Sequence, residues 1–170
     1  FKGDAATNTT VTGTVPPGEY TGISFVNGVP EDLNHADPAA QAAPLQAGSM
    51  SWGWLLGYRS MRAEMAGTAT SGQPGLGLLH LGSSACTGNP QGGTVSCALP
   101  NRNQIRLSDV DLEDDRIVVD VAALFAGIDL AQDVQCHGSN AGACGQVLGT
   151  LGIEAASGQP AQSQSVFRVE

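Results

Sequence analysis

Three histidines hold most of the coordination chemistry open to this chain: His35 in LNHADP, His80 in LLHLGSSAC and His137 in QCHGSN. A neutral imidazole offers one nitrogen lone pair, and two imidazoles with one further donor suit a soft or borderline metal such as copper. The three settings differ. His80 lies in GLGLLHLG, a run with almost no polar alternation, so its ring nitrogens need partners inside a buried strand. A hydrogen-bonded core histidine is the plain alternative to a ligand there. His35 lies in a long loop just ahead of the segment that holds both tryptophans, so His35, His80 and an indole can meet in space. His137 falls beside a cysteine in what reads as a disulfide-bounded surface loop, where an exposed polar residue without a role is expected.

Trp52 and Trp54 stand two residues apart in SMSWGWLLGYRSM, in a chain with only two Trp, two Tyr and four Phe. On a strand, positions i and i+2 share one face, where two indoles bury a large ring surface. Core packing therefore accounts for the pair without any chemistry.

The four cysteines form two close pairs, Cys86 with Cys97 and Cys136 with Cys144, each among Gly, Ser, Asn and Thr. Neither pair has the short CxxC spacing of a thiolate metal site, so two local disulfides are expected, and with them an oxidising compartment. The chain opens at Phe1-Lys2-Gly3 without a charged and apolar leader, as expected if an export signal has been removed. No apolar run approaches the roughly 20 residues a bilayer span needs.

Other chemistry finds little support. The chain contains no Gly-rich phosphate loop, GxSxG elbow or HExxH pair. The acidic run DVDLEDD lacks EF-hand spacing and reads as a solvated turn. Seven Lys and Arg against sixteen Asp and Glu give a formal charge of -9. That balance excludes a general grip on nucleic acid and favours encounter with basic partners.

Twenty-three glycines and nine prolines leave little room for long helices, and short alternating segments recur between them. The expectation is a single domain over residues 1–170: an all-β antiparallel sandwich with one or two short helices and two local disulfides. Strands are expected at Thr9–Val15, Tyr20–Asn27, Ser51–Ala66, Gly77–Gly82, Gln104–Asp109, Arg116–Val121 and Ser165–Val169. Helical spacing points to Asp120–Leu130 and Gly145–Ile153. Pro30–Ser49 reads as a long connection of the kind that carries function.

In this order, TNTTVTG, GVPEDLNHADPAA, APLQAGSMSWGWLLGYRSMRAEM, LLHLGSSAC, CALPNRNQIRL, IVVDVAALF and QSVFR, with four cysteines, resemble the MbnP-like periplasmic copper-binding proteins. The resemblance runs over essentially the whole chain. It begins near the family's second strand, so the first is expected to be missing, and Ser51 and Ser60 stand where members often carry an aromatic. The resemblance implies a protein that is not an enzyme but the substrate of a partner, the di-haem peroxidase-like MbnH, which oxidises a tryptophan to kynurenine. Opening the indole replaces a donor-only ring with an aryl amine and a ketone, and the modified protein binds copper. Carried over, Trp52 and Trp54 match the paired tryptophans, His35 and His80 the metal-binding histidines, and Cys86, Cys97, Cys136 and Cys144 the family's cysteines. On this reading, replacing His35 or His80 by Ala abolishes tight copper binding, and replacing His137 by Ala is nearly silent. The alternative is a structural or adhesive β-sandwich with no metal, in which the histidines do not gather near an indole.

Overall fold

The computed structural model describes residues 9–46, 48–53, 55–68, 71–89 and 94–170. Short apolar runs between glycine-rich turns form β1 (Gly22–Asn27), β2 (Arg59–Thr68), β3 (Pro74–Gly82), β4 (Ser84–Asn89), β5 (Thr94–Leu99), β6 (Asn103–Ser108), β7 (Ile117–Val119), β8 (Val134–His137) and β9 (Phe167–Val169). Among the described residues, three short α-helices interrupt them: α1 (Glu31–Asn34), α2 (Val121–Leu124) and α3 (Ala143–Thr150). The all-β expectation holds. Pairing is antiparallel for β1 with β6, β2 with β3, β4 with β5 and β7 with β9, while β3 and β8 run parallel.

The parallel pair organises the molecule. β3 is flanked by β2 on one side and β8 on the other, and a strand covered in this way reads as a nearly unbroken apolar run. Leu79 and Leu81 of β3 pack with Ile105 of β6, Leu124 of α2 and Val147, Leu148 and Leu151 of the α3 region in one cluster. Each such side chain stabilises the fold by about 1.5–3 kcal/mol relative to exposure. Cys144, Val147, Leu148 and Leu151 recur at helical spacing, so α3 and the residue after it present one apolar stripe to that core. The Cys136–Cys144 disulfide ties the stripe to β8, and Cys86–Cys97 bridges directly opposed residues of β4 and β5.

Several expected elements differ. Thr9–Val15 forms no strand: Val11 is 99% and Val15 63% exposed, so the segment buries no apolar face. Ser51–Ala66 divides, because Gly53 and Gly57 take positive φ of 98° and 74°, a backbone that interrupts a strand and favours glycine. Strand geometry begins at Arg59 and runs on to Thr68. The helix expected over Asp120–Leu130 is a single turn, capped by the Asp120 carboxylate accepting from Ala123 N, followed by a 3-10 turn at Leu130–Gln132. Arg116–Val121 and Ser165–Val169 shorten to β7 and β9. The β4–β5 hairpin and β8 were not foreseen: SACTGN and TVSCAL set their cysteines among small polar residues, and VQCH is too short to show a period.

Candidate metal centre

Trp52 sits in the loop before β2 and not on a strand. The loop closes on itself through a Ser51–Tyr58 bridge, Trp52 N donating to Gly57 O at 2.9 Å and Gly57 N donating to Gly53 O at 2.8 Å. This carries the indole over the end of β3. A Cβ built on Gly82 would lie 2.8 Å from the Trp52 ring, so the missing side chain at position 82 is what admits the indole. The Arg59 guanidinium lies 5.8 Å from the centre of the Trp52 ring, within cation–π range. Trp54, the other half of the expected shared face, lies outside the described residues.

His80 is the next ring inward, its centroid 6.3 Å from that of Trp52. It is 9% exposed on β3, and its Nε2 lies 3.4 Å from Glu64 Oε1, at the long end of hydrogen bonding. Burial holds the His80 imidazole below the ordinary histidine range; Glu64 pulls the other way, and His137, Arg59 and Arg62 add to the lowering. Its neutral form, the one that ligates metals, is therefore favoured. The Glu64 carboxylate, kept below its ordinary range by Arg62 and His80, is placed to fix the imidazole tautomer, as carboxylates behind metal-bound histidines do.

His137 departs from its reading as a bland loop residue. It is exposed, as expected, but it ends β8 directly opposite His80 in the parallel register, with ring centroids 4.3 Å apart. The loop after it is clamped from below. The buried Asn101 donates from Nδ2 to Gly82 O at 3.0 Å and Ser84 Oγ at 3.1 Å, and Asn140 Nδ2 donates to Asn101 Oδ1 at 3.0 Å. One buried amide thus ties the end of β3 to the chain that follows His137.

His35 caps the C-terminal end of α1 and stands elsewhere, beside the β4–β5 disulfide, with Nε2 3.3 Å from Cys97 Sγ. Its neighbour Asn34, 4% exposed, joins the two regions. Asn34 Oδ1 accepts from Tyr58 N at 2.8 Å, and Nδ2 donates to Ser83 Oγ at 3.3 Å. Among the described residues, the ring contacts of His80 are to Trp52 and His137. Of the residues expected to gather, the fold thus brings Trp52 and His80 together, adds His137, and seats His35 beside the β4–β5 disulfide, with its neighbour Asn34 bonded to Ser83.

These features define a β-rich, disulfide-stapled protein with an imidazole pair beside a half-buried indole, and the two bridges fit an extracytoplasmic compartment. Among the described residues, no helix is long and apolar enough to cross a membrane. The chain belongs to the MbnP family, whose sequence profile matches residues 1–139. It is also similar to the solved structure of MbnP from Methylosinus trichosporium, at 26% identity and a TM-score of 0.72 over 91% of this chain. The match spans 64% of the length of that protein. No curated protein matches the chain closely enough to count as a relative.

Proposed function

We propose that this protein is an exported, periplasmic copper-binding protein whose Trp52 is oxidised to kynurenine by a di-haem MbnH-type enzyme. The copper site then comprises the modified residue, His80 and His137. Family membership supports the class of function. The observation that carries the site is the His80–His137 pair, 4.3 Å between centroids, with the Trp52 ring 6.3 Å from His80. The donor set fits copper: two imidazoles, one of them kept neutral by burial, beside a ring that gains an aryl amine once it is opened. When bound, the metal would supply a soft Lewis-acidic centre; the chain supplies the ligands, the Glu64 contact that orients one of them, and a half-buried approach. Trp54 is the second candidate for oxidation.

The protein is the substrate in this scheme, and its acidic surface favours docking of a basic partner, with a rate that falls as salt rises. The test is co-production with the di-haem partner, followed by peptide mapping and copper titration. Kynurenine at position 52 and copper binding that depends on it support the proposal. Unmodified Trp52 together with equal copper binding before and after exposure to the partner sinks it, and leaves the disulfide-stapled structural module as the reading.

A further inference from the structure

Away from the Trp52–His80–His137 cluster, a second set of soft donors is assembled but closed. His35 Nε2 and the sulfurs of Cys86 and Cys97 all lie within 4.8 Å of one another, each on a half-buried residue. As the protein stands, the two sulfurs are spent on one another in the β4–β5 bridge. The imidazole is nonetheless oriented toward them. Because Asn34 Oδ1 takes the Tyr58 N–H, its Nδ2 is the donating end, reaching Ser83 Oγ at 3.3 Å and His35 Nε2 at 3.2 Å. His35 Nε2 is then the acceptor nitrogen and lies 3.3 Å from Cys97 Sγ, so a cation bound there takes over the lone pair that now accepts from Asn34 Nδ2.

We propose that opening the Cys86–Cys97 bridge unmasks a site for one soft or borderline d10 cation, held by the two thiolates and His35 Nε2. Thiolate and imidazole together are the donor set such ions prefer. The opening step needs a dithiol reductant. One thiolate of the reductant attacks a bridge sulfur and breaks the S–S bond; its second thiol resolves the mixed disulfide. Two electrons and two protons pass to Cys86 and Cys97, and the reductant leaves as its own disulfide. Binding of the cation then releases the thiol protons to solvent.

Two features direct the reaction to this bridge. Cys86 and Cys97 are half-buried, whereas Cys136 and Cys144 are 2% and 7% exposed, and exchange requires access. The hairpin also keeps its register without the bridge, because Ser84–Leu99, Thr87–Ser96, Gly88–Val95 and Asn89–Thr94 are paired as well. The freed thiols therefore stay opposite one another. This site uses neither Trp52 nor His80 and stands apart from the copper reading above.

The test is cadmium titration of the protein after mild dithiol reduction and anaerobic removal of the reductant, read by the thiolate-to-cadmium charge-transfer absorption. One equivalent is expected to produce the band in reduced protein and none in oxidised protein. His35→Ala is expected to weaken cadmium binding at least tenfold. The double variant Cys86→Ser with Cys97→Ser is expected to lose the band, and Cys136→Ser with Cys144→Ser to retain it. A reduced protein without the band, a band untouched by His35→Ala, or loss of far-ultraviolet circular dichroism on opening the outer bridge each overturns the proposal.

Discussion

His80 and His137 face one another across a parallel strand pair, with ring centroids 4.3 Å apart. Parallel register makes the relationship: the third residue of VQC-His pairing, Cys136, lies opposite Leu79, and the next step of both strands sets the two imidazoles side by side. The first prediction follows from this pairing. In the oxidised protein, His80→Ala and His137→Ala each lower copper affinity by at least tenfold, while His35→Ala leaves that site largely intact. Competition titration against a copper chelator measures all three. A silent His137→Ala would return the second ligand to His35.

Gly82→Ala tests how the indole is seated. The new Cβ would lie 2.8 Å from both the Trp52 ring and Tyr58 O, so the ring must move. Overpacking of this kind costs about 1–3 kcal/mol. Slower conversion of Trp52 by the partner enzyme is expected alongside a lower melting temperature; normal conversion in a destabilised protein would detach the seat from the chemistry.

Asn34→Ala removes the tie between α1, the tryptophan loop and the end of β3. It leaves the Tyr58 N–H and Ser83 Oγ without the partners they have at 2.8 and 3.3 Å. A loss of about 1–3 kcal/mol in urea unfolding is expected, with no change in the bond between Ser83 Oγ and Pro100 O.

The metal-free protein should lose stability as pH falls below about 6.5, the ordinary histidine value. Burial lowers the His80 pKa in the folded state, so in the window beneath 6.5 the unfolded chain takes up a proton that the folded protein refuses. Stability is full above that window and declines through it toward the folded value. Urea midpoints across pH 5 to 7.5 should therefore fall more steeply for wild type than for His80→Gln. Parallel slopes would show that His80 titrates alike in both states.

Local chemistry was legible in the chain wherever one residue type or one short period decides the outcome. β1, β3 and β6 follow from apolar runs bounded by glycine and asparagine, α3 from Cys144, Val147, Leu148 and Leu151 on one stripe, and both disulfides from close cysteine pairs. The tryptophan segment misled because its alternation is broken by backbone conformation at Gly53 and Gly57, and a glycine in a strand pattern marks a bend as readily as an extended residue. The two glycines flanking the Trp52 loop were the available signal.

What the sequence determined by itself is the donor inventory and its chemical class: three imidazoles, two indoles, four cysteines in close pairs, an acidic body and the family to which those motifs belong. Which imidazole joins His80 was decided only by tertiary structure. His35 and His137 are 45 and 57 residues from it along the chain, so neither local propensity nor spacing favours one over the other. The parallel docking of β8 on β3, held by the Cys136–Cys144 bridge and the Asn101–Asn140 pair, brings His137 to His80. Asn34, through Tyr58 and Ser83, keeps His35 at the other disulfide.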